Sequence, residues 1–300
     1  MAIMIWFGGN KMSNNYFIHL SGGLGDILQG YLTKPIRKGL CSGFGYLKQI
    51  KNQEPDCKVK LIIHPIQEIA KQLFETHPLI DEITQLGWHN PCHVCGRMQQ
   101  EAGQGYIGLG QHGKDNGWTH RPWKKIFLTD KDKETTEQII NDGPYVAIHP
   151  FAGDNPRTTV PINQWPSIID NIIKHTGYNV VVLGASHVRK YNPKRLMPRD
   201  EKFVYQRDKL FNLVNKVNIR CSVELAQKSS TLIATNSALL CAASTGNTPL
   251  IALHNNPKVF VGILNRMFVS SEKYSAVTKN EALVTNASAK IIELIRKNNP

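Results

Sequence analysis

The chain has 300 residues, with a hydrophobic share of 41% and a charged share of 20%. This is an ordinary globular balance, in a chain long enough for two domains with cores of their own. No apolar run of the sequence reaches the length of a membrane span, and the start lacks the basic and apolar regions of a signal peptide. Met12 offers an alternative start, in which case the residues of the stretch 1–12 ahead of it are an extension outside the fold. The six scattered cysteines show no disulfide framework, so we expect a cytoplasmic protein.

The net charge of +13 is distributed unevenly along the chain. Residues 1–143 carry 16 basic and 14 acidic side chains, whereas residues 144–300 carry 20 and 9. The densest basic stretch is 187–220, with 10 basic and 3 acidic residues. Such a balance favours an anionic partner, which could be phosphate groups, nucleic acid or an acidic membrane surface; a solvated basic face is the alternative.

Strand and helix patterns alternate along the chain. The predicted strands are 16–20, 58–65, 145–150, 178–184, 231–236 and 249–254. The predicted helices are 66–77, 162–177, 222–230, 237–246 and 280–298. This alternation predicts an α/β fold with parallel sheets and crossover connections. The stretch 130–144 is polar and directly precedes a new strand, so we place a domain boundary there, between domains 1–143 and 144–300.

A glycine-rich turn, SGGLGD, follows the first predicted strand. It contains Gly23 and Gly25 and ends at Asp26. Glycines let the backbone approach a ligand closely, and the helix start that follows offers free N–H groups to an anion. Asp26 either caps this helix or acts as a general base at the mouth of a cleft between the domains.

Five stretches in order along the chain resemble glycosyltransferase family 9, the ADP-heptose-type heptosyltransferases of the GT-B fold. They are Gly25-Asp26, LFETHPLIDEI (73–83), VAIHPFAGDNPRTTVPINQWP (146–166), VVVLGAS (180–186) and TLIATNSALLCAASTGNTPLIALH (231–254). The resemblance implies two Rossmann-like domains facing a cleft, with the acceptor bound by the first and a nucleotide-sugar by the second. It also implies a metal-independent, inverting transfer to an acceptor hydroxyl, with Asp26 as the base and no required cofactor.

The resemblance further implies where the nucleotide-sugar binds. The expected donor-binding residues are Gly23, Gly25, Arg157, Thr158, Thr159, Gly184, Asn236 and Ser237. The family usually has a lysine before its "WP" helix, and Arg157 is the basic residue placed to substitute for it. Asn236 stands where the family has an aspartate, and Cys241 where it has a histidine. We expect basic side chains and helix N-termini to stabilise the leaving diphosphate.

The identity of the acceptor is left open by the sequence. The family's usual acceptors are anionic lipopolysaccharide cores, which would bring a peripheral membrane contact; hydroxylated DNA bases, which some bacteriophage GT-B enzymes glycosylate, suit a basic protein equally. Residues 103–125 are rich in glycine, aromatic and basic residues, which suits either an acceptor-binding loop or a disordered connector. The expected acceptor-binding residues are Trp118, His120, Arg121, Arg189 and Lys190. The alternative function is a non-catalytic nucleic-acid-binding protein that retains the fold.

The stretch WHNPCHVCGRM (88–98) crowds histidines and cysteines together. Cys92 and Cys95 have the spacing of a metal knuckle, and with His89 they offer the thiolate and imidazole ligands that zinc prefers. A second such cysteine pair is missing from the sequence. The stretch therefore predicts either a structural zinc site or a surface loop with incidental thiols.

Overall fold

The computed structural model describes two parallel β-sheets with their helices. It describes residues 14–20, 31, 42–63, 68–85, 105–121, 123, 125–151, 160–185, 203–235, 237–243, 248–254, 274–278 and 285–299. Among these residues no helix combines the length and the apolar character that crossing a membrane requires.

The first sheet has four parallel strands in the order β3–β2–β1–β4. The strands are β1 (Asn15–His19), β2 (Val59–Ile63), β3 (Glu82–Gln85) and β4 (Tyr106–Gly108). The described helices around it are a 3₁₀ helix (Ser42–Tyr46), α1 (Leu47–Gln53), α2 (Glu68–Phe74) and α3 (Leu109–Asp115). Alternate residues of β1, Tyr16 and Ile18, are buried in one apolar core with residues of all four of these helices.

The second sheet has six parallel strands in the order β10–β9–β8–β5–β6–β7. The strands are β5 (Tyr145–His149), β6 (Asn179–Val182), β7 (Leu210–Asn212), β8 (Thr231–Thr235), β9 (Leu250–His254) and β10 (Tyr274–Thr278). The helices are α4 (Asp130–Ile140), α5 (Trp165–Thr176), α6 (Ile219–Lys228), α7 (Ala238–Ala243) and α8 (Thr285–Asn298). A short 3₁₀ helix, Ile162–Gln164, precedes α5. The predicted α/β class with parallel sheets is thereby confirmed.

Two apolar cores hold these layers together. One core is shared by both sheets, because residues of β1 and β2 belong to the same cluster of buried side chains as residues of β5, α6, β8 and α7. The other core fills the opposite face of the second sheet, between that sheet and the helices α5 and α8. The strands at the centre of the second sheet are therefore covered on both faces, which explains their nearly continuous apolar sequence.

Helix α5 ends where the sequence predicts. Gly177 follows its last residue with a φ of +73°, the left-handed conformation that glycine adopts without a steric penalty. Two carbonyl groups at this end of the helix accept hydrogen bonds from basic side chains. Lys209 Nζ donates to Gly177 O at 3.0 Å, and Arg296 Nη2 donates to His175 O at 2.8 Å. These cations stabilise the negative end of the helix.

The polar stretch chosen as a domain boundary forms a helix, α4, for most of its length. The Thr129 side chain accepts a hydrogen bond from Asp132 N, and the Asp132 carboxylate accepts one from Thr129 N, so a capping box starts the helix. The division into domains 1–143 and 144–300 stays a prediction.

Candidate functional site

The carboxyl edge of the second sheet is the first part of the candidate site, because ligands of parallel α/β sheets bind beyond this edge. Strand β5 ends at His149, and Thr235 at the end of β8 donates a hydrogen bond from Oγ1 to the carbonyl of Phe151 at 3.3 Å. The backbone N–H of Asn215 donates to Gly184 O at 3.0 Å. The segments that follow β5, β6 and β7 therefore lie at the same edge as the end of β8.

Gly184, a predicted donor-binding residue, lies at this edge in a backbone conformation that requires glycine. Its φ is +129°, and a Cβ built on it would lie 2.6 Å from Phe151 Cδ2 and 2.9 Å from His149 Cδ2. The missing side chain lets the two rings pack directly over the backbone. His149 and Phe151 are functional candidates that the sequence analysis did not single out, although both lie in the stretch 146–166 that carries the resemblance.

Ser237, another predicted donor-binding residue, lies at the start of α7. Its side chain is nearly buried, and its Oγ accepts a hydrogen bond from Leu240 N at 3.4 Å. All five residues from Leu239 to Ala243 are buried, Cys241 among them. The small residues of this helix therefore serve close packing against the sheet.

Two buried polar atoms at the start of α5 and just before it have no hydrogen-bond partner among the described residues. They are Nε1 of Trp165, which is fully buried, and Oε1 of Gln164. Gln164 and Trp165 directly follow the stretch 152–163. That stretch contains Arg157 and lacks the lysine that the family usually has before its "WP" helix.

The 3₁₀ helix Ser42–Tyr46, which packs on the face of the first sheet, is the second part of the candidate site. A Cβ on its Gly43 would lie 2.8 Å from Ile18 Cγ1 in β1 and 3.5 Å from Gly110 N in α3. Arg121 N donates to Gly45 O at 3.0 Å, so this predicted acceptor residue lies beside the same 3₁₀ helix, with its side chain exposed.

The two other described acceptor candidates pack against Tyr46. The ring of Trp118 lies edge-on to it with 6.1 Å between centroids, and the ring of His120 does so at 5.6 Å. A Cβ on Gly45 would lie 2.2 Å from His120 Cδ2, so the histidine fits only because residue 45 is glycine. Residues 105–121 are ordered by these contacts, with a strand and a helix of their own.

The remaining predicted site residues lie outside the described residues. They are Asp26, Gly23, Gly25, Arg157, Thr158, Thr159, Asn236, Arg189, Lys190, His89, Cys92 and Cys95. Within the part of the chain that the structure describes, no group of three or more His, Cys, Asp or Glu side chains is placed to hold a metal ion.

Comparisons with known proteins agree with this architecture. The model of a family described as glycosyltransferase family 9 (heptosyltransferase) matches residues 113–283. The structure of E. coli ADP-heptose lps heptosyltransferase II is similar with a TM-score of 0.55 and 11% identity, over 95% of this chain and 100% of that chain. A glycosyl transferase family 9 protein from Veillonella parvula is similar with a TM-score of 0.58 and 11% identity, over 95% of this chain and 97% of that chain. The structure of E. coli heptosyltransferase WaaC with ADP is similar with a TM-score of 0.53 and 10% identity, over 95% of this chain and 99% of that chain. At these identities the similarity shows the shared GT-B fold alone, and no curated protein matches the sequence significantly.

Proposed function

The chain belongs to glycosyltransferase family 9, and we therefore propose that it moves a sugar from a nucleotide-sugar to a hydroxyl group of an anionic acceptor, with inversion at the anomeric carbon. The observation that carries this proposal is the family match over residues 113–283, which includes the carboxyl edge of the second sheet where Gly184 lies. The proposed donor domain is 144–300, and the proposed acceptor domain is 1–143.

The proposed reaction needs one base and one anion-binding site. Asp26 takes the proton from the acceptor hydroxyl, and the oxygen attacks the anomeric carbon on the face opposite the diphosphate. The bond from that carbon to the phosphate oxygen breaks, and the diphosphate leaves with the electron pair. Arg157, with the hydroxyls of Thr158 and Thr159, stabilises the negative charge that develops on it. We propose that these groups do so without a metal ion.

Two described features support an anionic acceptor. Arg121 presents an exposed side chain beside the 3₁₀ helix Ser42–Tyr46 of the first sheet. Residues 144–300 carry a strong basic excess, which attracts polyanions over a distance of about 10 Å in salt of physiological strength. A lipopolysaccharide-type glycan or a hydroxylated DNA base would both meet this requirement.

The experiment compares Asp26→Asn with Asp142→Asn, a control at an exposed aspartate. Nucleoside diphosphates and nucleotide-sugars are first screened by thermal shift, and transfer is then measured with the donor that stabilises the protein. We expect Asp26→Asn to lower the transfer rate by at least about 100-fold while donor binding survives, because a positioned base contributes that much or more. Near-normal turnover in Asp26→Asn, with the control also normal, would remove Asp26 from the mechanism.

The same preparation tests the second candidate, a non-catalytic nucleic-acid-binding protein. The basic excess of residues 144–300 favours it. It predicts DNA binding that weakens steeply with salt, together with no stabilisation by any nucleotide-sugar. A protein that binds a nucleotide-sugar and transfers its sugar excludes this candidate.

A further inference from the structure

Arg220, in the first turn of α6, contacts elements that belong to both sheets. Its Nε donates to Asp132 Oδ2 at 2.6 Å, and its Nη1 donates to Glu75 Oε1 at 2.7 Å and to the carbonyl of Gln72. Gln72 and Glu75 lie at the end of α2, which packs on the first sheet, whereas α6 leads into β8 of the second sheet. We call this group of residues, together with Asn218, the Arg220 joint.

The half of the joint at Asp132 is buried and fully bonded. Asp132 is 3% exposed and accepts hydrogen bonds from Thr129 N at 3.0 Å, from Asn218 Nδ2 at 2.5 Å and from Arg220. Burial alone would raise the pKa of Asp132, but the hydrogen bonds from Arg220, Asn218 and Thr129 hold it well below its ordinary range. Removing either charge would leave the other buried without its partner, so this half is a permanent anchor.

The half of the joint at Glu75 reaches solvent. The Glu75 side chain is 42% exposed, compared with 7% for Arg220. An ion pair that is exposed in this way is screened by water and contributes little to stability. Arg220 can therefore release Glu75 while it stays bound to Asp132, and its one other bond to α2 in the described residues is then the one to the Gln72 carbonyl.

The joint lies beside the place where the chain passes from one sheet to the other. The segment that leaves the first sheet is bound to the end of α2 through Thr76 Oγ1, which donates to Phe127 O at 2.8 Å. The ring of His77 packs edge-on against Phe127, with 4.9 Å between centroids. Helix α4 begins at Asp130, three residues after Phe127, and Thr129 is its cap. Only Leu128 and Thr129 thus separate a segment fixed to the first sheet from a helix fixed to Arg220.

The segment that carries Arg220 also begins at the candidate donor site. Asn215 N donates to Gly184 O, and Asn218, which caps α6, follows three residues later. We infer that the Arg220 joint is an interdomain latch: the Asp132 half is permanent, and the half formed with Glu75 and the Gln72 carbonyl opens when the two sheets change their relative position. The inference does not depend on which reaction the protein catalyses.

The test is hydrogen exchange on Glu75→Ala and Glu75→Gln. Both keep the Arg220–Asp132 contact, so we expect them to fold, which a thermal unfolding curve checks. Because the Glu75 half is exposed, we expect exchange about two- to fivefold faster at both sides of the joint, 70–77 and 218–222, and faster for Ala than for Gln. The matched control is Glu224→Gln, which removes a pair with Lys228 inside α6 and should leave both segments unchanged.

The outcomes separate a latch from a general stabilising contact. Faster exchange confined to the two segments in the Glu75 variants supports the latch. Exchange equal to that of the unmodified protein in either segment overturns it. An even increase over the whole chain also overturns it, because Glu75 would then stabilise the fold as a unit.

Discussion

Replacing Gly184 by alanine should lower the stability of the protein and disturb the carboxyl edge of the second sheet. The φ of +129° lies in a region that essentially only glycine adopts, which costs a side chain about 1–3 kcal/mol. The new Cβ would also lie 2.6 Å from Phe151 Cδ2 and 2.9 Å from His149 Cδ2, and such overpacking costs about 1–3 kcal/mol more. We expect a total loss of about 2–6 kcal/mol in the free energy of unfolding.

Gly143→Ala is the matched control for the strain alone. Gly143 has a φ of +111°, close to that of Gly184, but a Cβ built on it meets no atom within 4 Å. Equilibrium unfolding in urea should therefore show a smaller loss for Gly143→Ala, by about 1–3 kcal/mol. Calorimetry with a nucleoside diphosphate should show weaker binding for Gly184→Ala only, since His149 and Phe151 must move aside at that edge. Equal losses of stability in the two variants would refute the argument from the collision.

Three further predictions concern single sites. Arg157→Ala should weaken nucleoside diphosphate binding by about 1.5–3 kcal/mol, the range for a charge-assisted hydrogen bond, and an unchanged Kd by calorimetry would place the phosphates elsewhere. If Cys92 and Cys95 bind zinc, the purified protein contains near-stoichiometric zinc and a chelator lowers its Tm; metal-free protein of full stability would contradict this. Burial lowers the pKa of His77 to about 4, so the neutral ring favours the fold. The contribution of the neutral ring to the free energy of unfolding is about 3 kcal/mol; it is complete above about pH 6.5 and is lost as the pH falls towards 4. Unfolding experiments at several pH values should show that His77→Phe removes most of this pH dependence.

The strands that the sequence predicts and the strands that it misses occupy different places in the sheets. All six interior strands were predicted, whereas β3, β4, β7 and β10 were not, and these four are the edges of the two sheets. An interior strand of a parallel sheet is covered on both faces and shows a nearly continuous apolar run. An edge strand such as β3, EITQ, has two exposed and two half-buried residues, so its sequence lacks that signal.

The candidate site could be predicted only where its residues follow one another in the sequence. Gly184 stands out because it ends a buried strand. The proximity of His149 and Phe151 to it depends on the pairing of β5 with β6, which places Ile148 opposite Val182, and no local pattern encodes that register. The helical start at Thr129 was missed for a different reason, since α4 is polar on most of its surface and a capping box resembles an ordinary polar linker.

The basic stretch 187–220 shows how a charge count can overstate the positive charge available to a partner. Within it, Arg220 is neutralised by Asp132 and Glu75, Arg207 pairs with Asp170, and Lys209 caps the end of α5. An ion that is already paired contributes little to the long-range field that attracts a polyanion. The attraction proposed for the acceptor therefore depends on the other basic residues of this stretch, among them Arg189 and Lys190, which lie outside the described residues.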